Sequence, residues 1–134
     1  LGDLLPFLPT QFEYISLQKE VREVDKLTLD LNPQILNFTD HLNDFVDTAA
    51  LINNLDLVIS VDTSVAHLSG ALGKRTLVLL SSIHCWRWLL KRDDTPWYPS
   101  MRLYRQEAIG GWEGVFNKIK LDLNAGLDFQ ELKD

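Results

Sequence analysis

Two short apolar runs, Leu57–Val61 and Thr76–Leu80, enclose a segment with a different rhythm. Neither run alternates cleanly with polar residues, which is the pattern of a strand buried on both faces. Between them Val65, Leu68 and Leu72 recur at i, i+3 and i+7, predicting a helix that turns this stripe inward. Ser64 is expected to cap the start of that helix, and Gly73 falls where a left-handed residue ends one. Ala66, Gly70 and Ala71 are small, so the helix can lie close to the sheet. Strand, polar turn, helix, strand is a βαβ unit, and the other elements are arranged around Leu57–Leu80.

The same patterns extend along the chain. Leu1–Leu8 reads as the end of a helix stopped near Pro9, and Phe12–Leu17 as a strand rich in aromatic and β-branched residues. Glu20–Leu31 alternates only weakly and is expected to be a loop with a short extended piece. Ile35–Phe38 is a short strand. Asp44–Asn54 is a helix capped by Asp44, with Asp47 three residues on as in a capping box, and Phe45, Ala49 and Ile52 facing inward. Ser81–Ser100 is irregular and crowded with aromatics. Arg102–Arg105 is the last strand, and Trp112–Leu123 a helix with Trp112, Val115, Phe116, Ile119 and Leu123 on one face. Strands separated by helices predict an α/β fold with a parallel, Rossmann-like three-layer sheet and right-handed crossovers. One domain is expected at residues 1–123, followed by a polar tail at 124–134.

With 134 residues, 46% of them hydrophobic, the chain is long enough for one domain with a core of its own. The net charge of −6 argues against a general nucleic-acid binder, while leaving room for a local positive pocket. The single cysteine, Cys85, cannot form an intrachain disulfide and fits a reducing compartment, so a cytoplasmic location is expected. No apolar run approaches the ~20 residues that cross a bilayer. The start at Leu1, without methionine, suggests a fragment of something longer.

The turn after the first run carries the chemistry. Amides of Val65, Ala66 and His67 open the helix, whose dipole adds partial positive charge. The Thr63 and Ser64 hydroxyls add donors, and His67 leans back toward the same end. Together they make a phosphate cradle on paper, although Ser64 serves equally well as an ordinary cap. Asp62 either meets a sugar hydroxyl or shapes the turn; beside a diphosphate its bare carboxylate repels. Lys74 follows the helix and reads as a solvated charge near its C-terminus, not as a P-loop lysine. Trp86 and Arg87 are the aromatic and the cation nearest a strand end, suited to stacking a base or sugar and meeting a phosphate, whereas most of the neighbouring rings are expected to fill loop space. Lys91–Asp94 reads as a self-compensating charge run. His41, His67 and His84 share no ligand spacing, so no metal is expected.

The motif Asp62-Thr63-Ser64-Val65-Ala66-His67-Leu68-Ser69-Gly70-Ala71-Leu72-Gly73-Lys74 resembles the donor-site signature of the heptosyltransferase-like family 9 glycosyltransferases. Asp44–Ala50, Trp86-Arg87-Trp88, Thr95–Pro99 and Met101–Gln106 resemble the same proteins, so the likeness spans roughly residues 4–123. Several bacterial members carry the domain behind tetratricopeptide repeats. The resemblance implies the C-terminal half of a GT-B fold, which binds a nucleotide diphosphate-sugar without metal, and which lacks its first strand here because that strand would lie upstream of Leu1. It implies donor-binding roles for Gln18, Asp62, Thr63, Ser64, Val65, Ala66, His67, Trp86 and Arg87. His67 would stabilise the departing diphosphate. In the family the general base comes from the N-terminal domain, so this chain by itself is expected to be inactive. Two other readings compete with this one: a non-catalytic Rossmann-like interaction domain beside helical repeats, and a nucleotide-sugar epimerase-like domain.

Overall fold

The computed structural model describes residues 1–83 and 86–126. Its strands are β1 (Tyr14–Ser16), β2 (Ile35–Asn37), β3 (Val58–Val61), β4 (Thr76–Leu80) and β5 (Met101–Arg105). Its helices are α1 (Glu23–Leu31), α2 (Phe45–Asn53), α3 (Ser64–Ala71) and α4 (Trp112–Asn124). Short 3-10 turns occupy Leu5–Phe7, Thr39–His41 and Trp86–Trp88. Every ladder is parallel, as the alternation of strand and helix predicts, and the fold is α/β and Rossmann-like. Backbone hydrogen bonds divide the strands into two sheets, β1-β2 and β3-β4-β5. His84 and Cys85, and the tail beyond residue 126, lie outside the described residues.

The core is built on β4, whose five residues are all buried. Leu77 and Leu79 point to one face of the sheet, where Val115, Phe116, Ile119 and Leu123 of α4 meet them together with Leu4, Phe7 and Leu8. This is the α4 stripe expected from sequence, with Trp112 stacked on Phe116 at 6.1 Å. Val78 and Leu80 point to the other face, against Ala66 of α3, Trp88, Met101 and Leu103. The three layers are therefore α4, the sheet, and α3 with the loop that follows β4.

Three expectations need correction. Glu20–Leu31, expected as a loop, contains α1, because its buried side carries Asp25 and Leu29 while Val24, Leu27 and Leu31 are exposed. Apolar letters on the outer face hide the helical period that normally marks a core-facing helix. In α2 the buried residues are Thr48 and Ile52, and Phe45 is exposed. In α3 the buried face is Ala66, Ser69 and Gly70, one position round from the predicted Val65-Leu68-Leu72 stripe. Contact distance explains the rotation: a Cβ on Gly70 would lie 2.5 Å from Met101 Cε and 2.6 Å from Tyr98 Cγ. Only the small side of α3 fits against the sheet. Ser69 is accommodated there by a 2.6 Å hydrogen bond with the Thr76 hydroxyl. Gly73 ends the helix with φ 67°, the left-handed conformation that glycine adopts without cost.

Candidate functional site

α3 leaves the sheet at the carboxyl end of β3, the edge where open α/β folds place their ligands. The turn between them is shaped by Ser60, whose hydroxyl donates to the Val61 carbonyl at 2.9 Å and lies 3.2 Å from the Thr63 hydroxyl. Thr63, not Ser64, is the N-cap residue: it is extended, its carbonyl accepts from the His67 amide at 3.4 Å, and its side chain makes no capping bond. Ser64 is the first helical residue.

On one side of this turn is a cleft of about 1020 Å³. Thr63, Ser64 and Val65 line it, facing Gln18 and Lys19 from the segment after β1, with Asp44 and Phe45 of the α2 start beside them. Lys19 donates to the Asn43 carbonyl at 2.5 Å, which keeps a cation at this end of the cleft. Gln18 is held by three contacts: its amide donates to Ser16 Oγ, its carbonyl accepts from the Thr39 hydroxyl at 2.8 Å, and its side-chain nitrogen reaches Asp25. Its Oε1 is buried and has no protein donor. Asp25 is 2% exposed and receives Arg22 at 2.9 Å and the Leu1 amino group at 3.3 Å. Burial pushes its carboxyl pKa up, but hydrogen bonds and charge from Arg22 and the amino group prevail and hold it below the usual carboxylate value.

On the other side of α3 stands His67. Its ring stacks on Trp88 at 5.2 Å, its Nδ1 is 3.2 Å from the Tyr98 hydroxyl, and its Nε2 is 3.5 Å from Asp62 Oδ1. Asp62 thus turns to the histidine and makes no side-chain bond to the turn itself. Trp88 is fully buried, whereas Trp86 is 75% exposed with the Arg87 guanidinium 6.0 Å above its ring. Arg105 holds this loop by donating to the carbonyls of Trp88 and Arg92. Burial lowers the pKa of its guanidinium.

The sequence-predicted residues therefore form three groups. Gln18, Thr63, Ser64 and Val65 share the cleft. Asp62 and His67 pair on the Tyr98 side of the helix, and Ala66 has its methyl in the core. Trp86 and Arg87 project from the loop after β4. Sequence reasoning gave Lys19, beside Gln18, no role of its own, and it missed Trp88 and Tyr98 as the supports of His67. No spacing rule could have found the last two, which reach His67 across a long irregular loop. Lys74, expected to be solvated, instead donates to the carbonyls of Asn53 and Leu55 and ties α3 to the end of α2. In the charge run Lys91–Asp94, Arg92 meets Asp94 at 2.6 Å as expected, while Asp93 pairs outside the run with Lys118 at 3.8 Å.

Among known proteins, the family model for glycosyltransferase family 9 (heptosyltransferase) matches residues 18–94, more than half of the chain. Protein FlbA of Caulobacter vibrioides is 34% identical over 76 residues, which cover 57% of this chain and 12% of FlbA. The chain thus corresponds to only a small part of that relative's length. No solved structure matches. No helix among the described residues is long and apolar enough to cross a membrane.

Proposed function

Because this chain belongs to glycosyltransferase family 9, we propose that it is the donor-binding half of a GT-B glycosyltransferase, taking a nucleotide diphosphate-sugar. One observation carries the reading: the start of α3, with Thr63, Ser64 and Val65, opens on the cleft at the carboxyl end of β3. Backbone amides at a helix start, two hydroxyls and a nearby lysine are donors suited to a diphosphate. Lys19 supplies the full positive charge and Gln18 a side chain able to meet a sugar or ribose hydroxyl. No divalent cation is needed in this arrangement, since the helix end and Lys19 offset the anion.

His67 acts at one remove. Its ring has Asp62 beside Nε2 and the Tyr98 hydroxyl beside Nδ1, and it is set in one orientation by the Trp88 ring. On the far side of α3 from Thr63–Val65, the imidazole acts on the leaving diphosphate through the turn that Asp62 begins rather than by direct contact. The acceptor-activating base is assigned to another part of the parent enzyme, and the domain by itself binds without turnover. A cytoplasmic enzyme carrying the domain beside helical repeats fits this role.

Titration of ADP, UDP, GDP and a nucleotide-sugar into isotopically labelled protein tests the reading. Selective shifts of the Thr63–His67 amides and of Lys19 are expected. A folded spectrum that stays unchanged at millimolar ligand would overturn donor binding and favour the interaction-domain reading. Conversion of the sugar without transfer, in a product analysis of the parent enzyme, would favour the epimerase-like one.

A further inference from the structure

α1 reverses the usual arrangement of a surface helix. Such a helix ordinarily turns its apolar residues inward and its charges outward. α1 buries a carboxylate, Asp25, beside Leu29, while Val24, Leu27 and Leu31 are 75%, 62% and 71% exposed. Apolar residues scattered singly over a surface are ordinary, but three in register on one helix are not. Their spacing of i, i+3 and i+7 lines them up along one face, over most of a helix about 13 Å long. Leu29 stands almost opposite this stripe, so α1 keeps one face for the core and offers the other outward.

The two edges of the stripe differ in charge. At about 3.6 residues per turn, Glu23 and Asp30 fall along one edge and Thr28 along the other. Glu23 shares its charge with Lys26 at 3.5 Å. Asp30 is exposed and has no ion pair among the described residues, and no basic residue stands in the last turn of α1. Thr28 is neutral, and its hydroxyl donates back to the Val24 carbonyl at 3.0 Å. The stripe therefore has one acidic edge and one uncharged edge.

We infer that the outer face of α1 docks a second amphipathic helix, one whose apolar stripe is flanked by lysine or arginine. The spacing of the stripe identifies the occupant as a helix, because side chains at i, i+3 and i+7 form the ridge that fills the grooves of another helix. The acidic edge selects the charge of that helix: basic flanking residues meet Asp30 and Glu23 across the seam, and acidic ones are repelled. The same edge disfavours a second copy of this chain. In an antiparallel pairing centred on Leu27, Glu23 of each copy faces Asp30 of the other. In a parallel pairing the acidic edges meet only the neutral Thr28 edges, with no charge to answer theirs. An anionic lipid surface is repelled by the same carboxylates. No residue of α1 lines the cleft beside β3, so a docked helix leaves the proposed donor site open and its binding does not depend on that site.

The probe is a three-heptad peptide with leucine at a and d and lysine at e and g, kept from pairing with itself by like-charge repulsion between the lysines. A control peptide carries glutamate at e and g. Each is titrated into the isotopically labelled 134-residue chain, and the amides of Glu23–Leu31 are followed. Shifts confined to α1 with the lysine probe, and at least about tenfold weaker binding of the glutamate probe, are expected. Leu27→Lys places a charge in the middle of an exposed stripe without opening the core, and is expected to weaken lysine-probe binding at least about tenfold. Asp30→Lys, which suits the C-terminal end of a helix, should shrink the preference for the lysine probe by at least about threefold. Absence of α1 shifts at millimolar lysine probe overturns the inference, as does equal binding of the two probes or an unaltered response in both variants. Self-association of the free chain that Leu27→Lys abolishes would assign the face to a second copy instead. Sedimentation with phosphatidylcholine–phosphatidylglycerol vesicles that the same variant abolishes would assign it to a membrane. No nucleotide enters this experiment, so its failure and the failure of donor binding are distinguishable.

Discussion

β3 and β4 are neighbours with similar letters and different surroundings. β4 has a strand on each side and α4 and α3 on its two faces, and all five of its residues are buried. Among the described residues β3 has one neighbour, and its other edge borders the cleft, where Val61 stands half exposed. The difference teaches that composition sets what a strand can bury, while its neighbours set what it does bury. The β4 side holds the core, and the β3 side borders the cleft in which the proposed donor would sit.

Truncation on the two sides gives the largest contrast. Leu80 is fully buried among Val78, Trp88 and Leu103, so Leu80→Ala is expected to cost about 2–5 kcal/mol through lost transfer energy and the cavity left behind. Val61→Ala removes a half-exposed side chain and is expected to stay within about 0.5 kcal/mol. Urea unfolding of both variants checks the pair. Similar losses would mean that the cleft wall is as tightly packed as the core.

Gly70→Ala sharpens the comparison from the closed face of α3. The added methyl meets Met101 Cε and the Tyr98 ring well inside contact distance, and ring carbons cannot retreat as a chain end can. A loss of about 1–3 kcal/mol is expected from this overpacking, against the gain in helix propensity that the same change gives elsewhere. Because Tyr98 also touches His67, the His67 ring resonances should move in this variant. Gly114, with nothing near its Cβ position, is the control: Gly114→Ala should be neutral or stabilising.

How much of this was legible in the letters follows from where the letters point. The continuous apolar run Thr76–Leu80 and the α4 stripe were readable because both are buried as their patterns imply. α1 was not, because Val24, Leu27 and Leu31 are on its exposed side and a charged Asp25 is on its buried side. The rotation of α3 was hidden for the opposite reason: small residues carry no periodic signal, yet closeness to the sheet selects them. In the site, Thr63–Val65 could be placed from strand and helix grammar alone. The partners of His67 could not, since Trp88 and Tyr98 meet it by tertiary contact across twenty or more positions.

Asp25 puts the buried side of α1 under pH control. Its folded pKa is lowered, so the stability it contributes is present in full above the ordinary carboxylate value and is lost as pH falls through the lowered one. Asp25→Asn keeps the shape but gives up the charge that faces Arg22, for an expected loss of about 1–2 kcal/mol at neutral pH. Unfolding measured from pH 7 down to pH 2 should show the gap between parent and variant closing in acid. A gap that is constant with pH would assign the effect to packing instead.

The smallest effect concerns the cap of α2, which borders the cleft. Asp44 is extended, and its Oδ1 accepts from the Asp47 amide at 3.0 Å, while Asp47 Oδ2 accepts from the Asn43 amide at 3.0 Å. The reciprocal bond therefore reaches one residue before the cap rather than the cap itself. Asp44→Ala removes the acceptor and a negative charge from the positive end of the helix, which is expected to cost about 1 kcal/mol. Asp44→Ser restores an acceptor without the charge and should recover most of it. Since Asp44 lines the cleft near Lys19, the two variants also separate capping from electrostatics. Both lose a negative charge beside the proposed anion site, so both should bind a nucleotide diphosphate slightly more tightly, although only the alanine variant is less stable. Tighter binding in neither variant would place the diphosphate away from the α2 end of the cleft, at the α3 amides alone.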